Sequence, residues 1–208
     1  MQLHSNSFRD NGPIPTEFAF GKQHPTQHMD LSNNRSPHLR WTDAPAGTKS
    51  FAIICVDPDV PTSFDDGNQE GKTIKASLPR TDFYHWTLVD IPASTSELAA
   101  GADSDRVTPK GKPLGKTPHG QRGLNDYTNF MAGDPDMGGT YGGYDGPCPP
   151  WNDEIVHHYV FTVYALSVST LNIPDRFTGP DAIKAMQNHV LAKASITGTY
   201  SLNPAVKA

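Results

Sequence analysis

Two histidines and a tyrosine stand in a row at His157-His158-Tyr159, and a third imidazole, His85, opens an apolar run earlier in the chain. Asp57 and Asp59 add two carboxylates in Asp57-Pro58-Asp59-Val60-Pro61. Side chains of these types bind protons, metals or polar ligands near neutral pH. Ahead of the first cluster runs Tyr144-Asp145-Gly146-Pro147-Cys148-Pro149-Pro150-Trp151, in which three prolines crowd one turn. Proline fixes φ and removes freedom from the unfolded chain, so a stiff turn beside titratable groups points to a pocket wall held in place without ligand. The competing reading is a plain rigid turn between strands.

Other chemistries fit less well. Gly111-Lys112-Pro113-Leu114-Gly115-Lys116-Thr117 approaches a phosphate-binding loop, but its first glycine is one residue too close and no apolar strand precedes it. A flexible Gly/Lys surface turn is the expectation there. Asp57, Asp59, His85 and His157 are types that suit zinc or iron, yet no tightly spaced ligand pair accompanies them, so neither a metal nor another cofactor is expected. No serine lies in a nucleophile elbow, and Cys148 sits between prolines with no helix N-terminus to activate it. Both cysteines, Cys55 and Cys148, are expected to be unpaired packing residues.

Three apolar runs are expected to position these groups. Ser50 to Val56 is apolar on both faces and reads as a buried central strand ending at the two carboxylates. Tyr84 to Ile91 reads as a second strand, with His85, Thr87 and Val89 on one face and Trp86 and Leu88 on the other. His157 to Leu166 is the third, with His157, Tyr159, Phe161 and Val163 sharing a face that His158 does not. Residues up to about 48 read as irregular chain packed on the core, and Thr62–Asp82 and Ala99–Tyr144 as long loops. Gly179-Pro180-Asp181 opens a helix, along which Ile183, Met186, Val190, Leu191 and Ala194 recur at helical spacing, and Ser195–Leu202 alternates like a strand. The sum is a β-dominated single domain with a helix or two outside it.

A net charge of −5 leaves no basic stripe for nucleic acid. Neither a signal peptide nor an apolar stretch of membrane-spanning length is present, so a cytoplasmic, non-membrane protein is expected.

Taken together, Asp57-Pro58-Asp59-Val60-Pro61, His85-Trp86 and Gly146-Pro147-Cys148-Pro149-Pro150 ahead of His157-His158-Tyr159 resemble the two signature regions of the phosphatidylethanolamine-binding protein family, also called the Raf kinase inhibitor family. Ser36-Pro37-His38-Leu39-Arg40-Trp41, Gly123-Leu124-Asn125-Asp126-Tyr127 and His189 to Gly198 extend the likeness, to its bacterial branch, over nearly the whole chain. The resemblance implies a mainly β fold, a central antiparallel β-sandwich with peripheral α-helices in one domain spanning 1–208, and a small anion-binding cavity. It implies that Asp57, Asp59, His85, Pro149, Pro150, His157 and Tyr159 line that cavity, and Tyr144 and Gly146 join them as ligand-binding candidates. Two departures stand out: His158 where the family usually has arginine, and a Trp151–Val156 segment longer than in eukaryotic members. The function implied is binding of a small phosphate-bearing or zwitterionic ligand such as phosphoethanolamine, held by His85, His157 and Tyr159 as donors, with Asp57 either accepting a proton from His85 and keeping that ring charged or meeting the ligand's ammonium group. Ligand-modulated regulation of a protein partner such as a kinase or protease follows the family's inhibitor members. A phosphate-ester hydrolase built on the Asp/His pocket is the alternative. The oligomeric state stays open, a homodimer included.

Overall fold

The computed structural model describes residues 1–207. The chain forms strands β1 (Gln2–His4), β2 (Gly12–Pro13), β3 (Gly21–His24), β4 (His28–Leu31), β5 (Leu39–Thr42), β6 (Ser50–Pro61), β7 (Arg80–Pro92), β8 (Glu97–Leu98), β9 (Gly115–Thr117) and β10 (Gly120–Arg122). A short helix α1 (Tyr127–Phe130) follows, then β11 (His157–Leu166), helix α2 (Gly179–Met186) and β12 (Val190–Tyr200).

A seven-stranded sheet in the order β2-β12-β11-β6-β7-β10-β9 carries the fold. Its central strands are apolar on both faces because each face is covered. On one side Ile53, Cys55, Leu88, Phe161 and Val163 pack with Leu3, Leu39, Trp41 and Leu98 of a three-stranded sheet, β1-β5-β8. On the other, Ala52, Ile54, Val89 and Leu166 pack with Phe177, Ala182 and Met186 of the α2 region. The expected mainly β architecture, a sandwich with peripheral helices, is therefore present. All pairings within the large sheet are antiparallel except β2 with β12.

Several elements differ from expectation. The first 48 residues are not merely irregular, since they supply β1 to β5. Helix α2 stops at Met186, and Val190, Leu191 and Ala194 belong to β12, which pairs with β11 from Val190 to Tyr200. Long-range pairing overrides the local helical period there. Lys112 is not on a flexible surface turn: it is buried, and its Nζ lies 2.7 Å from Asp145 Oδ1.

The irregularity that matters most lies between β6 and β7. Cys55 faces Trp86 and Val56 faces Tyr84, so His85 has no partner on β6 and forms a bulge. A bulge resets the alternation of faces. Tyr84, Thr87 and Val89 consequently lie toward the α2 side, with Tyr84 and Val89 in its cluster, while the His85 ring turns to the other face of the sheet and meets Tyr159 at a centroid distance of 5.0 Å. The expected grouping of His85 with Thr87 and Val89 fails for this reason.

Candidate ligand-binding site

At one end of the sandwich the last turns of three strands converge. Strand β6 delivers Asp57 and Val60, the bulged start of β7 delivers Phe83 and His85, and the first residues of β11 deliver His157 and Tyr159. Cys148, Pro149 and Pro150 form another wall, and Phe64, Tyr127 and Phe130 complete a cavity of about 340 Å³ including its open mouth. The proline turn is anchored as well as stiff. The Pro147 carbonyl accepts from the amides of Phe20 and Gly21, and the Tyr144 hydroxyl donates to the Phe18 carbonyl at 2.6 Å.

The floor of the cavity is a chain of alternating charges. His157 Nδ1 lies 2.7 Å from Asp57 Oδ2 and its Nε2 lies 3.2 Å from Asp153 Oδ2. Arg80 clasps Asp153 with both terminal nitrogens, at 2.5 and 3.0 Å. Burial opposes a charge on His157, but hydrogen bonds and charge from Asp153 and Asp57 prevail and raise its pKa to about 9. Both ring nitrogens therefore carry protons, and both are occupied. Burial likewise works against the Asp153 carboxylate, yet the bonds from His157 and Arg80 hold its pKa below the ordinary value. The second Asp57 oxygen accepts the Asp59 amide at 2.8 Å, closing that carboxylate off.

His85 is built differently. Its Nδ1 lies 2.8 Å from the Asp145 carbonyl oxygen, an atom that can only accept, so this nitrogen carries the proton. The Asp145 amide returns a bond to the His85 carbonyl at 3.0 Å. The Asp145 carboxylate, fully buried, is in turn held by Lys112, Asn34 and Asn125 at 2.7, 2.7 and 2.8 Å. Burial pushes the His85 pKa below its ordinary value, outweighing the nearby Asp57 charge. The expectation of an Asp57–His85 pair with a charged His85 is thus corrected: Asp57 chooses His157, and His85 is neutral at neutral pH.

Of the nine candidate residues, Asp57, His85, Pro149, Pro150, His157 and Tyr159 line the cavity. Three do not. Asp59 turns away to take the His158 amide and Nδ1 at 2.9 and 2.8 Å on the outer surface. Tyr144 is fully buried among core residues, and Gly146 packs so closely that a Cβ there would lie 2.1 Å from the Phe18 carbonyl oxygen. The sequence reading missed the aromatic wall of Phe64, Phe83, Tyr127 and Phe130, and the supporting Arg80, Asp153, Asp145 and Lys112. Asp153 sits four residues before His157, and that spacing was the one available signal. The aromatic side chains come from three separate segments and share no local pattern.

A family model described as phosphatidylethanolamine-binding protein matches residues 4–201. The chain is 33% identical to the UPF0098 protein YbhB of Escherichia coli over 97% of its own length and all of the relative's. It is 32% identical to a UPF0098 protein of Aquifex aeolicus, covering 96% of this chain and 88% of that one. Among solved structures, E. coli YbcL, described as a new member of the mammalian PEBP family, superposes with a TM-score of 0.68 at 28% identity, covering 96% of this chain and 97% of that one. A Chlamydia trachomatis homologue, CT736, gives 0.64 at 28% identity over 96% of both chains. With a matching model over nearly its full length and the cavity residues brought together, the chain belongs to the phosphatidylethanolamine-binding protein family.

Proposed function

We propose that the protein binds a small phosphate-bearing ligand, phosphoethanolamine-like, in the cavity between β6, β7 and β11. One observation carries this reading. The Tyr159 hydroxyl and His85 Nε2 have no hydrogen-bond partner among the described residues, and both residues line a cavity whose other polar side chains, the weakly donating Cys148 thiol apart, are already engaged. Two unspent polar atoms in a concave pocket open to solvent are a ligand's contacts. The organic part of the ligand rests on Phe64 and Phe130, which are 39% and 48% exposed beside the mouth with ring centroids 5.5 Å apart.

Binding fits this geometry better than hydrolysis. His157 has no free nitrogen with which to accept a proton, the free His85 Nε2 has no activated nucleophile beside it, and burial pushes the Cys148 thiol up to about 12, far from a nucleophilic thiolate. Regulation of a protein partner would act through the loop between β6 and β7. Asn152, just past the proline turn, donates to the Asp66 and Lys72 carbonyls and accepts the Asn68 amide. A ligand that shifts the turn would therefore shift the loop surface.

Calorimetry with phosphoethanolamine tests the reading. Tyr159→Phe should weaken binding roughly 10- to 100-fold, the loss of one hydrogen bond to a charged group, about 1.5–3 kcal/mol. Its melting temperature should not fall, because the hydroxyl has no hydrogen-bond partner among the described residues. Unchanged affinity in this variant would remove Tyr159 from the site.

A further inference from the structure

An oxyanion meets too few donors in this cavity. Asp57 and His157 exhaust each other and their neighbours, and the Tyr127 hydroxyl donates to the Gly146 carbonyl at 2.8 Å. No lysine or arginine lines the space, and the terminal nitrogens of Arg80 are occupied by Asp153 and the Asp59 and Lys75 carbonyls. What remains among the lining side chains is one hydroxyl donor, on Tyr159, beside the weak S–H donor of Cys148, and one acceptor, the Nε2 lone pair of a ring whose proton is pinned to Nδ1 by the Asp145 carbonyl. The fully ionised phosphate or sulfate group of an ester offers acceptors only, so an oxygen of that group and Nε2 would oppose each other lone pair to lone pair.

We propose that the cavity takes an oxyanion only together with one proton, placed between His85 Nε2 and the ligand, so that its ligands are bound as hydrogen-bonded acids and released as pH rises. This rests on the oxyanion-binding reading above and adds its proton balance. For a phosphate monoester dianion or a sulfate monoester, one proton is drawn from solvent and none is released, leaving either a charged ring or a protonated ester oxygen on the same hydrogen bond. The groups facing the ring are Asp57 from β6, the charged His157 and Tyr159 from β11, Phe83 beside it on β7, Tyr127 of α1, and the Asp145 carbonyl with Cys148 from the proline turn. Burial disfavours a charge on the ring, and the charge on His157 opposes a second imidazolium beside it. The anion supplies what the protein withholds, an opposite charge against Nε2. The Lys112–Asp145 buttress keeps the carbonyl in place and with it the choice of tautomer.

The test is calorimetry with phosphoethanolamine and with ethanolamine O-sulfate, whose anionic group does not titrate near neutrality. At about pH 7.5 each titration is repeated in two buffers of different ionisation heat, which counts the protons exchanged. The expected result is uptake of about one proton per ligand, with affinity for the sulfate ester falling about tenfold per pH unit above neutrality. Nitrogen NMR of the ring should show Nε2 changing from bare to hydrogen-bonded on saturation. His85→Gln, whose amide is a permanent donor, should bind the sulfate ester without proton uptake and without the pH slope. Binding of both esters with no proton uptake, or an unchanged slope in His85→Gln, overturns the proposal and leaves the oxyanion site standing. Failure of both esters to bind anywhere between about pH 5 and 8 removes the binding reading and the proposal with it.

Discussion

Raising the pH should unfasten this fold at one histidine. The His157 ring titrates near 9 in the folded protein against 6.5 for a free ring, about 2.5 units apart and worth about 3 kcal/mol. Below 6.5 both folded and unfolded chains hold the proton and the contribution is complete; above it only the folded chain does, and stability falls until the folded ring titrates near 9. Neighbouring groups leave that window clear. His85, lowered in the fold, costs stability only on the acid side of 6.5, and the thiols of Cys55 and Cys148, raised from 9.0, begin to matter only on the alkaline side. For a chain of this size about 3 kcal/mol is roughly 6–12 °C in melting temperature. Urea unfolding followed by tryptophan fluorescence across mildly acidic to alkaline buffers measures the slope, and His157→Gln should flatten it. A wild-type midpoint that stays level across the window, or a His157→Gln curve as steep as wild type, would refute the doubly bonded, charged ring.

Arg80→Gln strips the buried Asp153 of its bidentate partner and should cost about 3–5 kcal/mol in urea unfolding; a loss under about 1 kcal/mol would show that the pair carries little. Thr178 caps α2 reciprocally with Asp181, so Thr178→Ala should lower stability by about 1 kcal/mol, read from the same unfolding curves. His158 is exposed and tied to Asp59 outside the cavity, so His158→Ala should leave phosphoethanolamine affinity unchanged in calorimetry. Phe130→Ser should weaken a phenyl phosphate more than inorganic phosphate if the ring carries the ligand's organic part.

What could be read from the chain depended on whether the cause was local. The alternation of β11 is local, and it separated His157 and Tyr159 from His158 as the structure does. The α2 start is local too, with the threonine, proline and aspartate of its cap adjacent in sequence. The His85 bulge is not, because it arises from how β7 pairs with β6 and leaves no mark in the composition of either strand. Which imidazole Asp57 meets is settled by another long-range pairing, that of β6 with β11. Asp145 looked like one more turn residue, yet its carboxylate gathers Lys112, Asn34 and Asn125 from three distant segments, contacts that only the finished fold brings together.

The unpaired residue in β7 has a consequence for anyone redesigning this sheet. A chain optimised for a regular ladder at this point would delete one position at Tyr84-His85 and so remove one of the three irregularities between β6 and β7. The edited protein would have the neater hydrogen-bond register and no imidazole facing Tyr159. Regularity and recognition compete here for the same residue, so a selection scheme that rewards thermal stability alone has a direct route to a well-folded, empty-handed variant.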